Sequence, residues 1–217
     1  MDAAATRPGT GSEASQGRAG PGLAFRCINF SVFQAAWFAC VLGAARGWLW
    51  AAPAAALVAV AVHLTITSSR RAELLVLLGV ASMGIAADMA LVATGVVGMR
   101  HEAFGMATTS AWFASLWMVF ATTLNSSMSW LTRLQHRRVL VAILFGAVGA
   151  PLAYLAGQRL GAVALPLESS LVVLALEWAI LTPVVVAIAA RFSVHRSAPD
   201  GAIASTGVTG RALEVRR

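Results

Sequence analysis

Two carboxylates sit inside stretches built mostly of apolar and small residues: Asp88 in GIAADMALVATG and Glu177 in LALEWAI. An acid in such a setting has three kinds of work open to it. It pairs with a cation and ties helices together, it carries a proton or cation across a membrane, or it acts as general acid or base in a membrane-embedded enzyme. Tyr154, Gln158, Arg159 and Arg46 fall near the same predicted ends of their segments and are the expected partners for a structural ion pair. A carrier needs Asp88 and Glu177 to share one cavity. An enzyme needs a nucleophile or metal besides, and the chain has no H-E-x-x-H, no G-x-S-x-G, no Cys-x-x-Cys and no clustered histidine. The sequence reads against an enzyme and asks for no cofactor or metal.

A second polar group lies toward the other end of the segments. Residues 120 to 130, FATTLNSSMSW, put two threonines, an asparagine and three serines into eleven positions. Continued as one helix over 117 to 131, this stretch places Thr122, Asn125, Ser126 and Ser129 on one face and Trp117, Phe120, Leu124, Met128 and Leu131 on the other. The expectation is a two-faced helix, with lipid on the Trp/Phe/Leu side. Serine and threonine satisfy themselves on carbonyls of their own helix, whereas the Asn125 amide needs an outside partner. At 1.5 Å per residue from the inner ends of their segments, Asn125 lies ~9 Å deep, Gln34 ~12 Å and His63 ~6 Å, so these three are expected to meet. Such contacts act as interhelical glue, worth ~0.6 kcal/mol per hydrogen bond in membrane proteins.

The elements that must position these groups follow from hydropathy. Of 217 residues, 59% are hydrophobic and 12% charged, and mean hydropathy is +0.76; a soluble domain carries about 25% charged residues. Six apolar segments near 26–45, 49–67, 72–98, 111–131, 139–158 and 170–190 each approach the ~20 residues that cross a hydrocarbon core. The fold class expected is an all-α bundle of six transmembrane helices. Residues 1–25 and 191–217 lack an apolar period and read as disordered tails. All sixteen basic residues are arginine, and all but Arg46, Arg100 and Arg159 fall in the tails or in alternate loops. The positive-inside rule then puts both termini in the cytoplasm. The arginines form short runs between apolar segments and not a stripe interleaved with aromatics, so nucleic acid is not the partner expected. Trp48, Trp50, Trp112 and Trp130 fall at segment ends, where indole favours the headgroup layer. Cys27 and Cys40, on one helix and ~20 Å apart, cannot bridge.

The fifth segment carries Gly149, Ala153, Gly157 and Gly161 at intervals of four, a ridge of small residues expected to seat another helix. Pro151 and Pro183 are expected to kink their helices. The two halves share no motif, which argues against an inverted-repeat transporter.

INFSVFQAAWFACVLGAARG, the Asp88 segment, WFASLWMVFATTLNSSMSWL, GAPLAYLAGQRLGA and LEWAILTP, in this order, resemble the bacterial inner-membrane family filed as domain of unknown function 2878. The resemblance covers 28 to about 190, and Asn29, Gln34, Trp37, Asp88, Asn125, Pro151, Tyr154 and Gly157 match its pattern. It implies a small multi-span protein of the inner membrane with no assigned activity. Its relatives tend to be encoded near enzymes resembling cyclopropane-fatty-acid synthases and flavin amine oxidases. The function expected from this is accessory work in envelope or fatty-acyl lipid metabolism, by binding membrane lipid or docking fatty-acyl-modifying enzymes. The alternative is a small proton- or cation-coupled carrier using Asp88 and Glu177. Topology is directly testable: a reporter active only in the periplasm, fused after Arg217, is expected to be silent, and an active fusion would reverse the inside/outside assignment.

Overall fold

The computed structural model describes residues 23–67, 69–134 and 137–194; both expected disordered tails lie largely outside the described residues. Seven helices are present: α1 (Leu23–Ala45), α2 (Ala51–Ile66), α3 (Arg70–Ala93), α4 (Met106–Leu124), α5 (Ser129–Arg133), α6 (Arg138–Arg159) and α7 (Ser170–Val194). Two short strands, β1 (Gly98–Met99) and β2 (Val163–Ala164), pair antiparallel and clip the α3–α4 loop to the α6–α7 loop. By length and composition, four helices are apolar enough to cross a membrane: α1, α3, α6 and α7. The shorter α2 is also apolar. The chain is therefore an all-helical membrane protein.

The helix ends on one side of the molecule share a single device. Gly47, Gly95 and Gly161 all have positive φ, near 71°, 75° and 88°. In each case the next residue's N–H reaches back five positions: Trp48 to Gly43, Val96 to Leu91 and Ala162 to Gly157, all at 2.9 Å. The glycine N–H reaches back three, completing a Schellman motif at the ends of α1, α3 and α6. A Cβ is strained in the left-handed region, which is why these stops read Ala-Arg-Gly, Ala-Thr-Gly and Arg-Leu-Gly. Gly161 is thus a helix stop and not the last step of a packing ridge.

The polar stretch corrects the sequence expectation most sharply. There is no continuous helix over 117–131: α4 ends at Leu124, Asn125 caps it, and 125–128 form a turn before α5. The Ser126 and Met128 N–H groups both turn back to the Thr123 carbonyl, at 3.1 and 2.8 Å. Asn-Ser-Ser in sequence offers side-chain acceptors that compete with helical backbone bonds, so the helix yields here. The supposed lipid face is also internal: Trp117 is 2% exposed and Leu124 and Leu131 are fully buried.

Packing is dominated by α6 on α7, α3 on α4, and α1 with α2 and α4. The small residues that permit it are not those of the expected ridge. Ala142, Gly146 and Ala150 form the buried face of α6, and a Cβ on Gly146 would strike the Trp178 carbonyl and the Thr182 hydroxyl of α7. A Cβ on Gly149 would meet nothing within 4 Å. On α3, a Cβ at Gly84 would fall within the Trp117 ring of α4. Gly84→Ala is therefore expected to destabilise the protein by about 1 to 3 kcal/mol, as overpacking does. Gly149→Ala should be neutral or slightly stabilising. Thermal unfolding of both variants in detergent checks the pair, and equal effects would remove the Trp117 wedge from the account of the fold.

Candidate functional site

Asp88 stands five residues from the C-terminal end of α3 and is 2% exposed. The Trp117 indole N–H of α4 donates to one carboxyl oxygen at 2.5 Å, and the Tyr154 hydroxyl of α6 donates to the other in a short hydrogen bond. One carboxyl thus joins three helices. Gly84, one turn earlier on α3, leaves the space that the Trp117 ring fills. Trp117 in turn stacks on Trp178 of α7, with centroids 4.6 Å apart and planes at 13°.

Of the expected partners of Asp88, the structure confirms Tyr154 alone. The arginine bridge is not formed. Arg46 donates to the Leu42 carbonyl of its own helix and lies over the Trp48 ring at 5.4 Å, a headgroup-layer arrangement. Arg159 is exposed, and no described hydrogen bond links Gln158 to either acid. At the ends of α1 and α6 the long arginine side chains can reach outward, where hydration of the guanidinium is kept. Trp117 was missed as a partner because its apolar ring suggests a lipid face; its N–H, which must be paired when buried, was the available signal.

Glu177 on α7 is half-buried, and one of its oxygens, Oε2, is buried without a hydrogen-bond partner among the described residues. The helix that carries it packs against α3, which carries Asp88, and its neighbour Trp178 stacks on the Trp117 that donates to Asp88. The two sequence-predicted acids therefore do belong to one region.

That region borders a cavity of about 210 Å³. Its walls come from α1 (Phe33, Trp37), α4 (Trp112, Trp117), the bare side of α6 and Trp178 of α7, with Asp88 as the one acidic residue in the lining. Gly149, Ala153 and Gly157 face this space, so the small residues on α6 leave a hollow and do not seat a helix. Phe145 and Ala153 are exposed, and the cavity opens between α1 and α6. A second hollow of about 210 Å³ shares Phe33, Phe120 and Phe145 with the first and continues to Trp130. Together they make one furrow along the flank of the bundle. Trp112, expected at the headgroup layer, lies in this wall instead, donating to the Cys40 carbonyl at 3.0 Å. Trp48, Trp50 and Trp130 are exposed as expected.

The opposite end holds a separate polar centre organised by Glu73, a residue the sequence did not single out. It is 1% exposed, at 3.1 Å from His63 Nε2, and accepts from the Asn125 amide at 3.3 and 3.4 Å. His63 and Asn125 do converge, but through Glu73. No described hydrogen bond includes Gln34; the α1 contribution is Asn29, whose amide donates to the Thr122 carbonyl at 3.3 Å and accepts from Ser126 and Ser127 at 2.7 and 3.0 Å. Glu73 was overlooked because it opens a helix beside two arginines, where an acid ordinarily serves the helix N-terminus. Among the described residues, no cluster of His, Cys, Asp or Glu has the makings of a metal site.

An all-helical membrane protein with a buried carboxyl beside a lateral aromatic furrow is the class these features define. The chain belongs to the family described as protein of unknown function (DUF2878), whose model matches residues 26–184. Comparison with curated proteins and with solved structures gives no match.

Removing the Glu73 carboxylate takes the group 3.1 Å from the buried His63 ring and an acceptor from the half-buried Asn125 amide. Glu73→Ala is expected to lower stability by about 2 to 4 kcal/mol. Glu73→Gln, which keeps an acceptor oxygen, should lose less. The fraction of folded protein recovered in detergent reports the order; an undiminished Glu73→Ala would show that the centre holds nothing together.

Proposed function

We propose that this chain is a six-span protein of the bacterial inner membrane, with both termini cytoplasmic, that binds a long-chain lipid from the bilayer. In that capacity it serves enzymes of envelope or fatty-acyl lipid metabolism. The observation that carries the reading is the furrow between α1, α4 and α6: mainly apolar and aromatic along its length, open on the flank that faces hydrocarbon, with its one acid, Asp88, at one end. From Phe145 to Gly157 on α6 it extends about 18 Å at 1.5 Å per residue, a length suited to an extended acyl chain. The six-span count adds α2 and α4 to the four longer helices; at 16 and 19 residues they measure about 24 and 28 Å, short for a core of ~30 Å but within the range local thinning accommodates. The absence of an acid–nucleophile pair from the sequence motifs favours binding over turnover.

One observation supports a carrier as the second reading. Asp88 lines a cavity and Glu177 stands on the adjoining α7, so two acids fall in one region, as a proton- or cation-coupled site requires.

Lipid mass spectrometry on a deletion strain, the wild type and a complemented strain separates the two. A fatty-acyl or headgroup species that changes on deletion and returns on complementation is expected, with Asp88→Asn reproducing the change while the protein still accumulates. Coincident lipid profiles together with lost proton- or cation-driven uptake in Asp88→Asn would favour the carrier.

A further inference from the structure

We propose that the polar end of the furrow recognises a cationic head, and that the ligand class is a long-chain ammonium without an anionic group. Its nitrogen would sit beside the Asp88 carboxyl and its chain would run toward Phe145. This inference rests on the reading that the furrow takes a chain from the bilayer.

Charge complementarity carries it. Asp88 lines the cavity and Glu177 adjoins its lining residue Trp178 on α7, whereas the His63–Glu73 contact lies at the opposite end of the bundle. Neither Arg46 nor Arg159 turns toward the acids. An acid in the lining of an apolar hollow, with no arginine paired to it among the described residues, makes a place where a cation gains and an anion loses. A phosphate or carboxylate head would meet that repulsion, which is why the class excludes zwitterionic phospholipid. The donors already present leave room for the head. Trp117 and Tyr154 take one bond on each Asp88 oxygen, and a carboxylate has about four acceptor positions. Buried Oε2 of Glu177 has no partner among the described residues and offers another.

The walls supply the second half of the recognition. Trp37, Trp112, Trp117, Trp178 and Tyr154 surround the Asp88 end, and the negative face of an aromatic ring attracts an alkylammonium most strongly where water is excluded. Gly149 and Gly157 keep the α6 side free of side chains, so a head and its first methylenes can pass between α1 and α6. Beyond Phe145 the second hollow accepts the remainder of the chain.

The test uses the full chain in phosphatidylcholine nanodiscs, with tryptophan emission as the readout, since four of its seven tryptophans line the cavity. The probes are dodecylammonium, dodecanol and dodecanoate. Saturable binding of dodecylammonium at least tenfold tighter than dodecanol is expected, with dodecanoate weakest. Gly149→Phe, which fills the furrow without removing a protein contact, should abolish the saturable signal for all three. Asp88→Asn should bring dodecylammonium to the level of dodecanol and leave dodecanol unchanged. Equal binding of ammonium and alcohol by the wild type would overturn the cationic head while leaving lipid binding intact. No saturable binding of any probe would overturn both. The wild-type comparison decides the matter even where Asp88→Asn does not accumulate.

Discussion

Burying the carboxyl of Asp88 is the constraint around which one half of this bundle is arranged. An acid within a membrane helix costs roughly 2.5 kcal/mol or more unless other groups receive it. Here the receiving groups come from two other helices, the Trp117 indole and the Tyr154 hydroxyl. To bring an indole to that point α3 must have no side chain one turn away, and it has Gly84. Once placed, the Trp117 ring offers a face to Trp178, which brings α7 into the same unit. A single polar requirement thus fixes the rotation of α3, α4 and α6 about their axes, and the aromatic stack extends it to α7.

The opposite end solves a similar problem by different means. Glu73 is as deeply buried as Asp88, but it is met by a histidine and an amide. That amide is available because α4 stops at Leu124 and presents Asn125 from a turn. The interruption also lets Ser126 and Ser127 reach Asn29 on α1. A continuous helix would have carried these groups around its axis, away from one of the two partners. The polar run in FATTLNSSMSW is therefore a joint between helices, and the two-faced helix its periodicity implies does not exist.

Between the two polar centres the bundle is left open on one side. α6 packs on α7 through Ala142 and Gly146 and turns Gly149, Ala150, Ala153 and Gly157 toward an empty furrow. Small residues permit close approach, but they equally permit a void when no helix is placed opposite. The aromatic residues of α1 and α4 that border the void stay wholly or half-buried against their own neighbours, so the furrow has firm walls on that side and a bare one on α6.

By itself, the sequence determined that the chain is an apolar, all-helical membrane protein and where most helices lie; it singled out Asp88 and Glu177 and named Tyr154 as one of four candidate partners for them. It also placed His63 and Asn125 in one neighbourhood. Hydropathy and segment length act locally along the chain, which is why these properties are legible without a fold. Only the tertiary structure decided that Trp117 is internal, that Glu73 is the hub of the second polar centre, that no arginine among the described residues answers Asp88, and that Gly149 borders a hollow. Each of these depends on how one helix is rotated and tilted against another. In a membrane both the lipid side and the protein side of a helix are apolar, so the pattern along one helix does not mark which face is which.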